Sequence, residues 1–408
     1  MNIVIDIETQ GLKVSDPINF VGCYTVIDGQ EKYKVFSLPH DIIRLKSFIR
    51  LQESKGAKWC GHNLKFDAVR LMYQYGIDLK ISNDTQILTY LSSSVDDMKD
   101  NKGRWLSLKH AATRILGVEN WDIGKSKMSV YIEEVSDYLY LDCKYTYQLL
   151  MHFKKVFDMS QIKTYKLILN ALNAYKYIEV NGLPIDLERL EKVKKSYLKK
   201  QHEVDSKLLD YGDINYNSTK QLGELLFDKL ELPILSYTKK GRPALGEDSL
   251  KALNGKHPII PILLQKREIE KTLSFLKLWS EEAIIHNGIT YLHSNFNLHG
   301  TVTGRTSSSD VNLQQVPRNK ELKSLFCSLE PGWQMVQFDF SQLELRFAAI
   351  VGDVKNMKEA YKDGRDLHTE MAMRITGKKQ KDITKKDRTS AKAANFGKHT
   401  CEILRFNL

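Results

Sequence analysis

The chain has 408 residues, of which 42% are hydrophobic and 27% are charged, which fits two or three folded domains and excludes a disordered chain. Its 61 Lys and Arg residues outnumber its 50 Asp and Glu residues and give a formal charge of +11, which favours a polyanion such as nucleic acid as partner. The five cysteines are scattered, with no spacing typical of a zinc site or a disulfide framework, so we expect reduced thiols.

An apolar strand pattern begins at Asn2, which leaves no room for a signal peptide, and no apolar run approaches the ~18 residues of a membrane span. These observations predict a cytoplasmic protein with no membrane partner. Residues 1–155 then alternate short apolar strands with helical segments, which is typical of α/β structure. The predicted strands are IVID, FVGCYTVI and KWCGHN, and the predicted helices run from Phe66 to Tyr75 and from Ser136 to Phe153.

Acidic residues from three segments of this region form a candidate metal site. Asp6 and Glu8 are two positions apart on a predicted strand, so their side chains leave the same face. Asp67 lies in the predicted helix after GHN, and Asp142 follows Tyr138 by one helical turn. Four such acids can hold two hard cations about 3.5–4 Å apart, one to generate a hydroxide and one to stabilise the leaving oxygen.

The motifs DIET, N-x-x-F-D and Y-x-x-x-D, in this order, resemble the three exonuclease motifs of the DEDDy-type 3′ to 5′ proofreading exonucleases. The resemblance implies a ribonuclease-H-like α/β fold and a two-metal site for Mg²⁺, with Mn²⁺ as the alternative ion. It implies that Asp6, Glu8, Asp67 and Asp142 bind the metals and that Tyr138 orients the attacking water. The implied substrate is a single-stranded DNA 3′ end.

Two further residues of this region are not assigned to the site. Asp84, in NDT, is predicted to cap a helix, and Tyr90 is predicted to pack in the core. We therefore expect neither of them to bind a metal.

Residues 162–278 carry long amphipathic stretches and predict a helical domain. The clearest of them runs from Leu187 to Leu209, with a predicted apolar face of Leu190, Val193, Leu198, Val204 and Leu208. Strand patterns return from Thr290 to Asn297 and from Gln334 to Phe340, and a helix is predicted from Gln342 onward.

This second half resembles the polymerase domain of the family A DNA polymerases. EVNGLPIDLERL, NYNSTKQLGELLFDKLELP and LLQKREIEKTLSFL resemble the thumb and its surroundings, and TVTGRTSSSDVNLQQVP resembles the stretch that grips primer and template. The resemblance places Arg305, Asn312 and Gln314 near the DNA minor groove or sugar backbone, where contacts position a duplex without reading its sequence. A polar surface loop is the alternative interpretation of this stretch.

Within VQFDFSQLELR, Asp339 follows an apolar strand pattern and is the predicted metal ligand for nucleotidyl transfer. Glu344 matches the family's sugar gate, which fills the space that a ribose 2′-hydroxyl would need. GRDLHTEMA resembles the helix that approaches the triphosphate and makes His368 a candidate nucleotide ligand, although a histidine on a helix is also an ordinary satisfied polar group.

Arg388, Lys392 and Phe396 follow one another at four-residue steps and therefore share one helix face. Two cations there can neutralise the triphosphate of a deoxynucleotide while the ring stacks on its base. The family continues with a tyrosine and a glycine one turn later, and residues 398–408 of this chain do not match that continuation. The segment that supplies the family's second catalytic carboxylate is not found in this sequence.

The predicted fold is thus an α/β ribonuclease-H-like exonuclease domain, residues 1–155, followed by an incomplete right-hand polymerase domain of α+β structure, residues 156–408. The latter divides into a thumb (about 185–280), part of the palm (about 288–350), the start of the fingers (about 351–397) and the unmatched tail (398–408). An incomplete palm predicts exposed apolar side chains at Phe338, Phe340, Phe347 and Ile350, and with them self-association or a missing partner.

Three functions are compatible with these motifs. The first is the N-terminal portion of a phage-like replicative DNA polymerase in a bacterial or phage-infected cytoplasm, from an interrupted gene or split so that a second chain supplies the remaining palm and fingers. The second is a stand-alone 3′ to 5′ exonuclease with a DNA clamp, and the third is a noncatalytic duplex-binding module. The first accounts for every motif, and its partners are primer-template DNA, single-stranded 3′ ends and deoxynucleoside triphosphates.

Overall fold

The computed structural model describes residues 1–94, 104–121, 132–301, 303–330 and 332–396. They belong to two compact units, the first unit Met1–Gln334 and the second unit Met335–Leu408. The predicted domain boundary near residue 155 does not coincide with this division, and the predicted domain limits stay a prediction.

The first unit opens with a five-stranded mixed sheet of order β3-β2-β1-β4-β5. Strand β1 pairs antiparallel with β2 and parallel with β4, so it lies at the centre of the sheet. The three predicted strands are confirmed, and β3 and β5 are additional. The strands are β1 (Asn2–Thr9), β2 (Ile18–Ile27), β3 (Gln30–Ser37), β4 (Lys58–Gly61) and β5 (Ile81–Asp84).

Helices cover this sheet and share one hydrophobic core with it. Both predicted helices are confirmed, since α2 contains Phe66 to Tyr75 and α5 contains Ser136 to Phe153. Helix α6 packs its buried Tyr165, Leu169 and Leu172 into the same core, so this core extends beyond the predicted boundary. The helices are α1 (Ile42–Ser54), α2 (Leu64–Tyr75), α3 (Thr85–Ser92), α4 (Leu108–Leu116), α5 (Ile132–Val156) and α6 (Met159–Asn181).

The predicted helical region is confirmed and forms a second hydrophobic core, in which α7 packs along α10. Helix α7 spans Leu187–Leu209 as predicted, but Leu198 is 49% exposed. Tyr197 is buried in its place, because it continues the three- and four-residue spacing of the buried face and Leu198 falls one position outside it. The helices are α7 (Leu187–Leu209), α8 (Thr219–Gly223), a π-helical turn (Glu224–Lys229), α9 (Glu247–Ala252), α10 (Ile259–Glu282) and α11 (Lys320–Lys323).

Two small sheets complete the first unit. The predicted strand from Thr290 to Asn297 is divided, because its first part pairs in a three-stranded sheet of order β6-β8-β7 and its last part pairs with β10. The strands are β6 (Leu183–Pro184), β7 (Ile284–His286), β8 (Ile289–Leu292), β9 (Asn295–Asn297) and β10 (Ser307–Ser309).

The prediction of a strand from Gln334 to Phe340, where the second unit begins, is wrong, because residues 333–340 form no strand. A strand needs a hydrogen-bonded neighbour, and none of the described residues pairs with this segment. The predicted helix after Gln342 is confirmed. The helices are α12 (Leu343–Val351), α13 (Lys355–Lys362), α14 (Leu367–Thr376) and α15 (Lys385–Phe396).

The described cysteines, Cys23, Cys60, Cys143 and Cys327, are free thiols, as predicted, and Cys401 lies outside the described residues. None of the described helices combines the length and the apolar character that crossing a bilayer would require. The cytoplasmic location stays a prediction.

Candidate active site

The central strand of the five-stranded sheet carries the first two acids of the candidate site. Ile5 and Ile7 of β1 point into the core, so the alternating side chains of Asp6 and Glu8 leave the opposite face together. Asp6 faces Gly22 of β2 in the strand register. The rigid centre of the sheet therefore sets the spacing of these two carboxylates.

Helix α5 crosses this face and brings the third acid. It can approach closely because Gly22 has no side chain, and a Cβ built there would lie 2.7 Å from Cγ of Leu139. Leu139 is fully buried, and Tyr138 and Asp142 flank it within one helical turn. Asp6, Glu8 and Asp142 offer carboxylate oxygens that all lie within 4.8 Å of one another.

Asp67, the fourth predicted acid, lies beside this cluster but outside that set of converging oxygens. It is buried in the first turn of α2, and its Oδ1 accepts a hydrogen bond of 3.0 Å from the backbone N–H of Ile7. Ile7 stands between Asp6 and Glu8, so this bond ties α2 to the strand that carries the cluster. The negative charge of Asp67 also raises the pKa of Asp6.

A lysine and a tryptophan complete the surroundings of Asp142. Nζ of Lys109, from α4, donates to Oδ2 of Asp142 and to the Tyr138 hydroxyl, both at 2.6 Å. The same Nζ lies 4.3 Å from the centroid of the Tyr138 ring. Nε1 of Trp121 donates to Oδ1 of Asp142 at 2.6 Å. Both oxygens of Asp142 are thus engaged by donors.

Burial and mutual repulsion raise the proton affinity of the cluster. Burial, followed by the charges of Asp67, Asp142 and Glu8, raises the pKa of Asp6 well above its usual value. Burial, followed by the charge of Asp142, raises the pKa of Glu8 to about 7. Burial lowers the pKa of Lys109, but the attraction of Asp142 and Tyr138 outweighs it, and the net shift is upward.

These residues fit a divalent cation. Carboxylate oxygens are the ligands that Mg²⁺ and Mn²⁺ prefer. A cluster of acids that repel one another, with raised pKa values in Asp6 and Glu8, gains stability from a bound dication. Among the residues that the structure describes, Asp6, Glu8 and Asp142 are the one set of three acidic, histidine or cysteine ligands this close together. The identity of the ion stays a prediction.

The two residues not assigned to the site behave as predicted. The Asp84 side chain caps α3 by accepting from the N–H groups of Gln86 and Ile87, and it also accepts from Leu64 at 2.8 Å. It therefore joins the N-termini of α2 and α3. Tyr90 is buried and donates its hydroxyl to the carbonyl of Thr301.

The predicted DNA-contacting residues of the first unit flank strand β10: Arg305 precedes the strand, and Asn312 and Gln314 follow it. Oδ1 of the Asn312 side chain accepts from the Ser308 hydroxyl at 2.7 Å and from the N–H of Gln315 at 3.1 Å, so this side chain holds the loop together. Gln314 is exposed and donates to Thr306 at 2.7 Å. Arg305 is exposed. Their contacts with DNA stay a prediction.

The predicted polymerase carboxylates belong to the second unit and are exposed. Asp339 lies in a segment without helix or strand, between Phe338 and Phe340, whose side chains are 91% and 79% exposed. Glu344 lies in the first turn of α12 and is exposed. Phe347 and Ile350 are exposed as predicted. The structure does not bring a set of ligands together around Asp339 in the residues it describes.

The predicted triphosphate-binding residues lie on α14 and α15. Nε of Arg388 donates to Oδ2 of Asp366 at 2.6 Å, and this contact lowers the pKa of Asp366 against the opposing effect of burial. His368 is buried, which lowers its pKa. Lys392 is exposed, whereas the side chain of Phe396 and the whole tail 398–408 lie outside the described residues.

Sequence reasoning missed the contacts of Lys109 and Trp121 with the carboxylate cluster and the contact of Asp366 with Arg388. Lys109 lies in an ordinary amphipathic helix, and no spacing relates it to Asp142. The Asp366 side chain caps α14 by accepting from the N–H of His368. Contacts between distant segments, which no local pattern encodes, bring these residues to their partners.

A mixed sheet that presents three carboxylates close together is compatible with an enzyme that binds divalent cations. The family model for DNA polymerase family A matches residues 187–399, and the model for the 3′-5′ exonuclease matches residues 2–158. DNA polymerase I of Aquifex aeolicus is 30% identical over 420 residues, covering 97% of this chain and 67% of that protein. The chain belongs to DNA polymerase family A and carries a 3′-5′ exonuclease domain.

Other relatives match a smaller share. DNA polymerase I of Geobacillus stearothermophilus is 34% identical over 226 residues, which cover 54% of this chain and 26% of that protein. The chain thus spans about a quarter of that relative's length. The solved POL domain of Pol1 from M. smegmatis, in complex with DNA primer-template and dNTP, is 22% identical with a TM-score of 0.76 over 97% of this chain and 67% of that chain. This likeness shows a shared fold, and the two family matches confirm the predicted order of an exonuclease domain followed by a polymerase domain.

Proposed function

We propose that the cluster of Asp6, Glu8 and Asp142 is the catalytic centre of a metal-dependent 3′ to 5′ exonuclease that removes nucleotides from DNA 3′ ends. The observation that carries this proposal is the convergence of three carboxylates within 4.8 Å beside the Tyr138 hydroxyl. The match of residues 2–158 to the 3′-5′ exonuclease family supports it.

In this proposal Asp6, Glu8, Asp67 and Asp142 hold the cations. When bound, the cations acidify the attacking water and stabilise the charge on the leaving oxygen. Tyr138 orients the water through its hydroxyl, and burial, followed by the charge of Asp142, raises its pKa to about 12, so it remains a neutral donor and acceptor at neutral pH. Asp67 keeps α2 fixed on β1 through its bond to Ile7.

Frayed ends are the preferred substrate in this proposal. The 3′ nucleotide must leave its partner strand to reach buried carboxylates, and a mismatch lowers the cost of separating it. We therefore expect mismatched 3′ ends to be removed faster than paired ends, which is the behaviour of a proofreading activity. Equal rates on both ends would contradict this part of the proposal.

For the polymerase region we propose binding of primer-template DNA and of deoxynucleoside triphosphates, since family membership and the M. smegmatis complex with those ligands support it. Arg388, Lys392, Phe396 and His368 would bind the nucleotide, Glu344 would exclude a ribose, and Asp339 would bind a metal. Arg305, Asn312 and Gln314 would contact the duplex.

DNA synthesis is a separate question, because Asp339 is exposed in a segment without helix or strand, whereas a metal ligand needs a rigid position. We propose that this chain by itself degrades 3′ ends and does not extend primers. Completion of the polymerase site by a second chain stays a prediction, and no observation favours the stand-alone exonuclease with a DNA clamp over it.

The exonuclease proposal is tested with a 5′-labelled single strand, the purified chain and either Mg²⁺ or EDTA. The expected result is a ladder of progressively shorter labelled products that appears only with Mg²⁺. A matched strand that carries its label at the 3′ end should release labelled mononucleotide at once. Internal cuts, or shortening that persists in EDTA, would refute the proposal.

A further inference from the structure

Lys109 is a positively charged group that already occupies the carboxylate cluster. Its side chain is 17% exposed, and its Nζ stands at 2.6 Å from both Oδ2 of Asp142 and the hydroxyl of Tyr138. It comes from α4, whereas both of its partners lie on α5. Lys109 therefore links the acid that would hold a cation to the hydroxyl that would orient the water.

Charge balance explains why a cation is drawn to this position. Asp6, Glu8 and Asp142 place three carboxylates within 4.8 Å, and Asp67 adds a fourth acid nearby. Among the residues that the structure describes, Lys109 is the basic residue that forms a salt bridge with this cluster. A divalent ion that uses Oδ2 of Asp142 must compete with this ammonium group, because like charges repel strongly in a partly buried site.

The second contact of Lys109 has a different consequence. The Tyr138 hydroxyl can rotate about its C–O bond, and the hydrogen bond from Nζ fixes its lone pairs so that its proton points elsewhere. A held hydroxyl orients a water better than a free one, because catalysis depends on precise placement of the reacting atoms. This contact does not compete with a metal ion, since Tyr138 is not among the acidic ligands.

We propose that Lys109 is a positioning residue of the exonuclease site with two roles: it neutralises Asp142 until a divalent ion binds there, and it holds the Tyr138 hydroxyl during cleavage. The first role stabilises the folded metal-free protein and weakens metal binding. The second raises the rate of cleavage. This inference rests on the proposed exonuclease function, and the experiments separate the two.

The first role is tested by Mn²⁺ binding, measured by calorimetry on the full chain without DNA. Lys109→Met removes the charge but keeps the length of the side chain, and we expect its Mn²⁺ dissociation constant to fall about tenfold or more. Lys109→Arg keeps the charge, so its Mn²⁺ dissociation constant should remain within about threefold of that of the parent. Lys144→Met is the matched control, because Lys144 lies on α5, as Asp142 does, but pairs with Glu31 and Tyr140.

The second role is tested by the kinetics of single-strand degradation at saturating Mn²⁺. Lys109→Met should lower kcat about a hundredfold with KM for DNA unchanged, because it misplaces a catalytic group without removing a DNA contact. Tyr138→Phe should have a similar effect. The double variant should be no slower than the slower single variant, since both act through one hydroxyl. Thermal unfolding identifies a variant that fails to fold. If Lys109→Met fails to fold, Lys109→Gln, which also removes the charge, replaces it in both tests.

Each outcome decides one proposal. Unchanged Mn²⁺ affinity in Lys109→Met, or effects of Lys109→Met and Tyr138→Phe that multiply in the double variant, would overturn the inference. Asp6→Ala reports on the exonuclease proposal separately. If Asp6→Ala abolishes Mn²⁺ binding while Lys109→Met changes nothing, only the role of Lys109 is wrong. If Asp6→Ala binds Mn²⁺ like the parent, the metal site itself is wrong, and the role of Lys109 falls with it.

Discussion

The carboxylate cluster of the first unit and the segment around Asp339 of the second unit both contain predicted metal ligands, but their structural surroundings differ. Asp6 lies on the central strand of a sheet and Asp142 is buried on a helix packed against it. Asp339, in contrast, lies between two phenylalanines that are 91% and 79% exposed. Sequence motifs predict metal ligands in both regions, but only packed neighbouring residues fix the positions of those side chains.

The difference shows which contacts hold clustered acids in position. In the first unit, Gly22 admits α5, Asp67 ties α2 to β1 through Ile7, and Lys109 offsets the negative charge. Around Asp339 no strand pairs with the chain in the described residues, so the backbone has no partner that would set its direction. The comparison predicts large effects in the first region and small ones in the second.

The largest expected effect follows the loss of an acid from the cluster. Asp142→Asn should slow single-strand degradation about a thousandfold, because a metal ligand contributes several kcal/mol to the stabilisation of the transition state. Timed gel assays with a 5′-labelled strand and Mg²⁺ measure the rate. Asp137→Asn, an exposed position on the same helix, is the control and should keep the parent rate. A rate for Asp142→Asn within tenfold of the control would remove Asp142 from the site.

The next effect is on stability and concerns His62, which supports the start of α2. Burial lowers the pKa of His62 from 6.5 to about 4, and its ring bonds the Thr85 hydroxyl at 2.9 Å and the Leu106 carbonyl at 2.7 Å. The neutral form is favoured in the folded state, so this stability is present above pH 6.5 and is lost as the pH falls through about 4.

We expect the free energy of unfolding to decrease by up to about 3 kcal/mol over this range on account of His62. Urea denaturation of the parent and of His62→Gln at pH 7.5, 5.5 and 4 measures it, and the variant should lose that part of the decrease. His40→Gln, at an exposed position, should retain the slope of the parent. An identical slope in parent and His62→Gln would show that His62 does not titrate in this way.

A smaller effect is expected at Gly22, where the sheet and α5 approach closely. Gly22→Ala should destabilise the protein by about 1–3 kcal/mol, because the added methyl group would overlap Leu139. It should also slow degradation, since α5 carries Tyr138 and Asp142. Urea denaturation and the gel assay measure both effects. In the Leu139→Ala background the same substitution should cost much less, and an undiminished cost there would mean that the contact is not the cause.

The smallest effect is expected in the second unit. Phe338→Ala should change the free energy of unfolding by less than about 0.5 kcal/mol, because the ring is 91% exposed and leaves no cavity. Phe153→Ala is the matched buried control and should cost about 3–5 kcal/mol. Chemical denaturation compares them. A cost at Phe338 close to that at Phe153 would show that this segment is packed, and the contrast between the two regions would disappear.

Sequence patterns predicted the elements whose spacing is local. The strand with Asp6 and Glu8, the helix with Tyr138 and Asp142, and the full length of α7 are in the structure, because periodic burial encodes them. The patterns failed where pairing decides, as for the strand predicted from Gln334 to Phe340. An apolar alternating segment becomes a strand only when a neighbour accepts its hydrogen bonds.

The sequence predicted the three carboxylates that come together but not the residues around them. Asp6, Glu8 and Asp142 follow from motifs, whereas Lys109 and Trp121 contact Asp142 only because separate segments fold together. A lysine in a helix is usually a solvated residue, and nothing in SLKHAATRIL distinguishes this one. Charge compensation inside a site depends on tertiary contacts, which a single sequence does not display.

One measurement tests the central contrast most directly. The purified chain is given a 5′-labelled primer with a mismatched 3′ end on a template, together with Mg²⁺ and all four deoxynucleoside triphosphates. The account predicts products shorter than the primer, lost in Asp6→Ala, and no products longer than it. Extension of the primer by this chain, or an unshortened primer in the presence of Mg²⁺, would contradict it.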